Sequence, residues 1–431
     1  MGSEGRNHTL TLHLETTKDE LDFSHLDLTS LSFYLGDEVY TSNTLLLWLL
    51  QHVKEIVLFS HDDKQSVKIS AQHIEPMGFD EPLTRYNEAG FSAFVLLQEL
   101  LFMTEKFHFI KLNGLEPTAA FKSRSMDIKF IFDKELPKDC LPNIHHFCFF
   151  ATPVINLFPA QAEPILLDHQ RDHYRIFVDR SNIRAHNIIS VAKVKAHNSD
   201  GGRRMLKNYH SFERFEFLQG NGDFYAIANK QDSQGEHYKE IAFYSHNRSK
   251  ETISIDVLCS NGSMPASLGR GDISEYTEHK DIITSNITLP TPIWHARTNA
   301  QTISHLVTTL SLSYQSIIYR NNFLSTLNAY ASVFEENPPM LTALSNALQD
   351  IQSSTIYRTS GLMTQRGILA RMYIDDSRFY CLGEVYKIGL VFSHFFASFA
   401  SINSLRELEI VCVASKCHFT YPIISGNKAT I

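Results

Sequence analysis

The segment Thr152-Pro153-Val154-Ile155-Asn156-Leu157-Phe158-Pro159 restricts the fold of this chain more than any other. Pro153 and Pro159 each fix φ and lack a backbone donor. Each also pushes the residue before it out of the helical region, so the stretch between them runs extended. Its side chains are mostly apolar, and an apolar extended segment has to be covered by the chain's own core or by a partner. Asp168-His169 and Tyr174-Arg175-Ile176-Phe177-Val178-Asp179 follow it. No nucleophile, base and oxyanion donor gather around it.

With 431 residues the chain has room for two to four domains. Hydrophobic residues at 43% and charged residues at 20% describe a folded protein rather than a disordered one. The 30 Phe and 17 Tyr point to extensive packing, in a core or at an interface. A net charge of −8 and a pI near 6.2 speak against a nucleic-acid partner. The densest basic cluster, Gly201-Gly202-Arg203-Arg204 with Lys207, is too short to carry a duplex and reads as a solvated loop. The longest apolar runs, Phe147 to Phe158 and Val385 to Phe399, are interrupted by Pro153 and by Ser393 and His394, so no direct membrane insertion is expected. Met1 to Thr9 lacks the apolar stretch of a signal peptide, and Arg6 breaks the myristoylation pattern. Cysteines 140, 148, 259, 381, 412 and 417 form no C-x-x-C pair, which suits a reducing cytoplasm.

Periodicity predicts an α+β, multidomain chain: β-rich N-terminal and central parts, then a more helical α/β C-terminal part. Residues 1–25 are polar and expected as a loosely ordered tail. Residues 26–145 read as an α+β domain. Its strands are around Leu31, Phe33 and Leu35, at Phe107 to Leu112 and at Met126 to Phe132, with helices over Thr44 to Val53 and from Gly90 onward. Residues 146–290 read as a β-rich central domain, with strands at Ile176 to Val178, Ile188 to Val194, Phe212 to Phe217, Glu240 to Tyr244 and Ile253 to Leu258. Leu289-Pro290-Thr291-Pro292 marks the boundary. Residues 291–431 read as an α/β domain with helices at Ala300 to Tyr314, Asn321 to Phe334 and Pro339 to Ile351. A strand–helix–strand unit follows at Gly367 to Ile374, Gly383 to Ser401 and Leu405 to Val413. Its helix carries Phe392, Phe395, Phe396 and Phe399 on one face, a stripe suited to packing on a sheet or to meeting a partner.

Few residues suggest chemistry. His169-Gln170-Arg171-Asp172-His173 has the i, i+4 histidines of a zinc hydrolase, with Asp172 as a base. Its flanks look extended, however, and in a strand i and i+4 are about 13 Å apart, too far for one ion. Adjacent His145 and His146 point opposite ways in an extended chain. Gly220-Asn221-Gly222-Asp223 reads as a turn, and Asp375-Asp376 and Glu335-Glu336 as solvated pairs. No catalytic, cofactor-binding or metal-binding set is therefore assigned. A zinc hydrolase using His169, Asp172 and His173, or a generic ligand-binding module, stands as the alternative reading.

Four ordered blocks carry a family resemblance. They are Phe94 to Leu115; Phe149 to Asp179; Cys259-Ser260-Asn261 with Met264-Pro265, Trp294 and Ile303-Ser304-His305-Leu306; and Phe399-Ala400-Ser401-Ile402-Asn403-Ser404-Leu405-Arg406-Glu407-Leu408. In this order they resemble the TssF family (VasA or ImpG), baseplate subunits of the type VI secretion system. Leu100-Leu101 and Thr104 depart from the family's Tyr-Phe pair and proline. The long helical N-terminal portion of full-length members is not seen ahead of residue 28. The resemblance implies a non-enzymatic wedge subunit that binds TssG and TssK, with TssE and VgrG as further contacts and more than one copy per wedge. It would support sheath assembly in the cytoplasm, at a baseplate docked to the inner-membrane complex. The interface expected for such a subunit is Val154, Asn156, Leu157, Phe158, Trp294, Phe395, Phe399 and Asn403, with no cofactor.

Overall fold

The computed structural model describes residues 8–79, 82–83, 92–198, 201–209, 223–233, 235–245, 249–274, 282–293, 303–304, 307–308, 318–332, 338–360, 363–399 and 405–425. The N-terminal part holds strands β1 (His8–Glu15), β2 (Ser30–Tyr34), β3 (Val53–Ser60), β4 (Ser66–Ser70), β5 (Ile74–Pro76), β6 (Phe109–Asn113) and β7 (Ser125–Phe132). Helices α1 (Val39–Leu47) and α2 (Ser92–Phe102) lie between them. β1 falls inside the stretch expected as a loose tail. His8 to Glu15 alternates half-buried and exposed residues, and all eight pair antiparallel with β7. Leu10, Leu12 and Leu14 lie against the core, so the tail expectation gives way to a fully paired edge strand. The sheet order is β1-β7-β3-β4, and a second sheet runs β2-β6-β5.

The chain then forms a separate compact unit, Val154–Thr298. Its strands are β8 (Phe158–Gln161), β9 (Ile165–Leu167), β10 (Tyr174–Arg175), β11 (Asn187–His197), β12 (Arg203–Asn208), β13 (Phe224–Gln231), β14 (His237–Tyr244) and β15 (Glu251–Ser260). They build one sheet in the order β10-β14-β13-β12-β11-β15-β8, with β9 also on β15. Alternating Val194 and Ala196 on β11 and Ile253, Ile255 and Val257 on β15 fill its core. β10 ends at Arg175 with one further backbone bond, from the Ile176 N–H to the Lys239 carbonyl, so the expected strand over Ile176 to Val178 is not formed. Phe212 to Phe217 lies outside the described residues.

Arg203 and Arg204 correct the expectation of a solvated basic loop, because both lie in β12. Arg204 shares its strand face with buried Leu206. Its guanidinium forks onto Glu251, whose side chain is fully buried, at 2.7 Å for the Nη2–Oε2 arm, and its Nε donates to Asp223 at 2.6 Å. The buried Glu251 carboxylate needs such a partner, since an unpaired buried charge is strongly destabilising.

After Asn299 the chain rejoins its N-terminal part: Met1–Pro153 and Asn299–Ile431 form one unit. Helices α3 (Arg320–Ser332), α4 (Pro339–Ala347) and α5 (Leu382–Ala397) accompany strands β16 (Leu348–Ser360), β17 (Met363–Ile374), β18 (Leu405–Cys412), β19 (His418–Thr420) and β20 (Ile424–Ser425). The expected strand–helix–strand unit is present, with β17 and β18 parallel from Gly367↔Leu405 to Ile374↔Cys412. The helix expected through Ile351 stops at Ala347, where β16 begins and pairs with β17 along its length. Ala300 to Tyr314 lies almost wholly outside the described residues.

The expected separation of 26–145 from 291–431 is replaced by a shared core, and α5 is the reason. One of its faces meets α2 through Phe94, whose ring lies 5.7 Å from Phe395 and 5.6 Å from Phe399, and meets α3 through Phe323, 5.0 Å from Phe392. Gly383 lies so close to α1 that a Cβ there would stand 2.0 Å from the Asn43 carbonyl oxygen. Only glycine permits that crossing.

Candidate protein–protein interface

The expected interface residues divide by burial. Phe395 is fully buried, and Phe399 is half-buried with its ring 5.0 Å from that of Phe395. The stripe on α5 is therefore core, and its rings meet two helices rather than only a sheet. Phe158 opens β8 opposite Cys259, and its ring lies 6.0 Å from His186. Leu157 is half-buried, while Asn156 is exposed and Val154 is 74% exposed. Trp294 and Asn403 lie outside the described residues. The proline-bracketed segment thus presents Val154 and Asn156 outward and spends Phe158 on the sheet.

A stronger surface lies just upstream, among residues that sequence reasoning passed over. Leu141, Ile144 and Phe150 are 73%, 81% and 100% exposed. The chain around them is tightly held. Asn143 caps the short turn Ile144–His146: its side chain accepts from the His145 N–H at 2.9 Å, and its own N–H donates to His146 Nδ1 at 3.1 Å. The other ring nitrogen of His146 faces Glu38 at 3.3 Å. Cys148 exchanges both backbone hydrogen bonds with Tyr34, at 2.9 and 3.0 Å. Phe147 and Phe149 turn inward onto Phe33, with centroids 6.0 and 5.0 Å away.

Phe150 then adopts φ +55°. That region costs a residue with a Cβ about 1–2 kcal/mol. Leaving a phenyl ring in water forgoes about 1.5–3 kcal/mol of burial. The pairing at Cys148 and the packing of Phe149 hold the backbone that throws this ring outward. Strain kept up by its surroundings in this way points to a functional position. The legible signal was the run Phe147-Cys148-Phe149-Phe150, whose strand alternation breaks at its last ring.

The zinc-hydrolase geometry is not formed. His169 sits in a turn at φ +58°, with its Nε2 3.2 Å from the Ser249 carbonyl oxygen. Asp168 accepts from the Tyr174 hydroxyl at 2.9 Å and from the Gln170 N–H at 3.1 Å. These hydrogen bonds hold the Asp168 carboxyl below its ordinary range, the Gln170 N–H contributing most. Asp172 and His173 are exposed and do not converge with His169. Among the described residues, the side chains that bring three ligand atoms within 4.8 Å of one another are His13, His61 and Asp127. A ligand-sized depression of about 440 Å³ lies over β8, β11, β12 and β15, lined by Gln161, Lys195, His197, Arg203, Arg204, Met205 and Ser254. It is open, and its charges are partly spent, with Lys195 paired to Asp256 at 3.2 Å.

The family model described as "Type VI secretion system, TssF" matches residues 2–428. The chain belongs to the TssF family. It is similar to the type VI secretion system component TssF1 of Pseudomonas aeruginosa strain PAO1, with 22% identity over 421 residues, 90% of this chain and 67% of that protein. Among solved structures it is similar to a chain of a type VI secretion TssK-TssF-TssG baseplate subcomplex. The TM-score is 0.75 at 20% identity, covering 98% of this chain and 83% of the other. A chain of a type VI secretion baseplate complex matches with a TM-score of 0.60 at 18% identity, covering 97% and 76%. At these identities the solved structures establish the fold of this TssF-family chain, and the family model establishes its membership. Among the described residues, no helix is long and apolar enough to cross a membrane.

Proposed function

We propose that this chain is a non-catalytic structural subunit of a type VI secretion baseplate. In this reading it joins TssG and TssK in a wedge, contacts TssE and VgrG, enters with more than one copy per wedge and supports sheath assembly. It works in the cytoplasm, at a baseplate docked to the inner-membrane complex. The observation that carries the reading is the match of the TssF family model across residues 2–428. Likeness to a chain of a TssK-TssF-TssG subcomplex supports the choice of partners. The rigidly held, outward Phe150 with Ile144 and Leu141 supplies what such a subunit needs, apolar anchors on a fixed frame. Val154 and Asn156, and Trp294 and Asn403, remain secondary contact positions in this proposal. Co-expression with TssG and TssK encoded beside it tests the reading. A stable complex at defined stoichiometry is expected; a folded chain that associates with neither would overturn it.

A further inference from the structure

Three strands of the first unit bring His13 (β1), His61 (directly after β3) and Asp127 (β7) to one point. His13 Nδ1 lies 2.8 Å from Asp127 Oδ1, and His61 Nε2 lies 2.9 Å from the same oxygen. The two imidazoles meet edge to face, with centroids 5.2 Å apart. The second nitrogen of His13 faces Glu15 Oε1 at 3.3 Å. A neutral imidazole has one N–H, so it cannot donate to both Asp127 and Glu15. One of the two contacts then sets lone pair against lone pair, unless a positive species stands between nitrogen and carboxylate. That species is either a second proton or a metal ion.

We propose that His13, His61 and Asp127 bind a zinc-class divalent ion that ties edge strand β1 to β7 and β3. Two imidazole nitrogens and a carboxylate oxygen suit zinc, with water completing a tetrahedron. Bonds of about 2.0–2.1 Å would set neighbouring ligand atoms roughly 3.3 Å apart. The two nitrogen–oxygen separations, 2.8 and 2.9 Å, would open to that spacing, and the two nitrogens, which lie within 4.8 Å of each other, would settle at it. Glu15 supplies the outer carboxylate that metal-bound histidines usually have: with the ion on Nδ1, the Nε2–H donates to Glu15 and fixes the tautomer. Phe59 walls one side, its ring 5.2 Å from His61. Lys129 faces the other Asp127 oxygen at 3.6 Å, which leaves Oδ1 to the ion. The role is structural, since among the described strands β1 pairs with β7 alone.

The test is zinc titration of the EDTA-stripped full chain at pH 7.5, with the thermal midpoint read beside calorimetry and the visible spectrum of the cobalt-substituted protein. One ion per chain, a raised midpoint and a tetrahedral cobalt spectrum are expected. Affinity should fall at least tenfold in His61→Ala and in Asp127→Asn, and about tenfold in Glu15→Gln. His25→Ala should bind as the parent does, because His25 faces Asp22 at 2.7 Å without a second imidazole. The His61→Ala change lies beyond the end of β3, so its folding is checked by an unchanged metal-free midpoint. Absence of saturable zinc binding, or equal binding by His61→Ala and the parent, would overturn the proposal and leave a proton as the bridging charge.

Discussion

The aromatic stripe of α5 and the loop carrying Phe150 look alike in sequence and differ in burial. Both are phenylalanine-rich, and both belong to the first unit. On α5 the rings of Phe392, Phe395 and Phe396 are buried against Phe323, and Phe94 closes on Phe395. In the loop, Phe147 and Phe149 anchor the backbone while Phe150 is left in water on a left-handed residue. Ring content does not separate buried aromatics from exposed ones. Backbone conformation does: a helix lays its i, i+3, i+4 face on neighbouring elements, whereas Phe150 at positive φ is turned outward, its ring 6.3 Å from that of Phe149.

The contrast breaks most directly at Phe395. If its ring is core, Phe395→Ala removes a fully buried side chain and should cost about 3–5 kcal/mol, read by chemical denaturation. Partner affinity of the fraction still folded should not change. A variant with parental stability and weakened partner binding would move the stripe to the interface side.

The same helix gives a sharper test through its polar residue. Lys387 is buried on α5, with its Nζ 2.9 Å from His108 Nε2. His108 Nδ1 lies 3.0 Å from the Gly36 carbonyl oxygen, and its Nε2 also faces Asn43 Oδ1 at 3.1 Å. With the ring proton on Nδ1, donated to Gly36, Nε2 accepts from the lysine. Burial lowers the Lys387 pKa from 10.5 to about 8, against the opposing pull of Glu384, Glu105 and Cys381. Burial, and then the charge of Lys387, hold His108 well below its usual 6.5. The folded pKa of Lys387 is the lower one, so between about 8 and 10.5 the unfolded chain carries the extra proton. Stability from this residue is therefore fully present above 10.5 and is lost as pH falls to about 8. At about 1.4 kcal/mol per unit the span is worth about 3 kcal/mol. Lys387→Met should remove that slope from the stability–pH curve, and an unchanged slope would show that Lys387 is solvated.

The element pattern of the fold was legible wherever one period dominated. Met126 to Phe132 alternates and is β7, and Phe94, Leu97 and Leu101 share a helix face on α2. β17–α5–β18 was readable because its helix is long and apolar and its strands are bounded. Three things escaped for physical reasons. His8 to Glu15 alternates, but with threonine, histidine and glutamate between single leucines, and looks like a polar tail until β7 pairs with it. Arg204 reads as surface because its neutralising carboxylates, Asp223 and Glu251, lie 19 and 47 residues away. The shared core of the N- and C-terminal parts rests on Gly383 against Asn43, a long-range contact that no local pattern announces. Within the candidate interface, the proline-bracketed segment was visible in the sequence. The run Phe147-Cys148-Phe149-Phe150 marked the place, but which of its rings faces water rests on a single φ angle that the sequence does not show.

The smallest expected effect on the free chain decides the other half of the contrast. Phe150→Gly relieves a left-handed residue, worth about 1–2 kcal/mol, and pays back about 0.5–1 kcal/mol in backbone entropy. The folded chain should therefore lie between the parent's stability and about 1.5 kcal/mol above it. Cys148 should keep its pairing with Tyr34, and Phe149 its seat on Phe33, because neither contact involves the Phe150 ring. In complex with TssG or TssK the same change should weaken binding about thirtyfold, the effect of losing a hot-spot ring worth about 2 kcal/mol. Ile144→Ser, on the turn capped by Asn143, should weaken it less, because that side chain lacks the area of the ring. A stabilised Phe150→Gly chain with undiminished partner affinity would mean that the strain at this residue serves something other than docking.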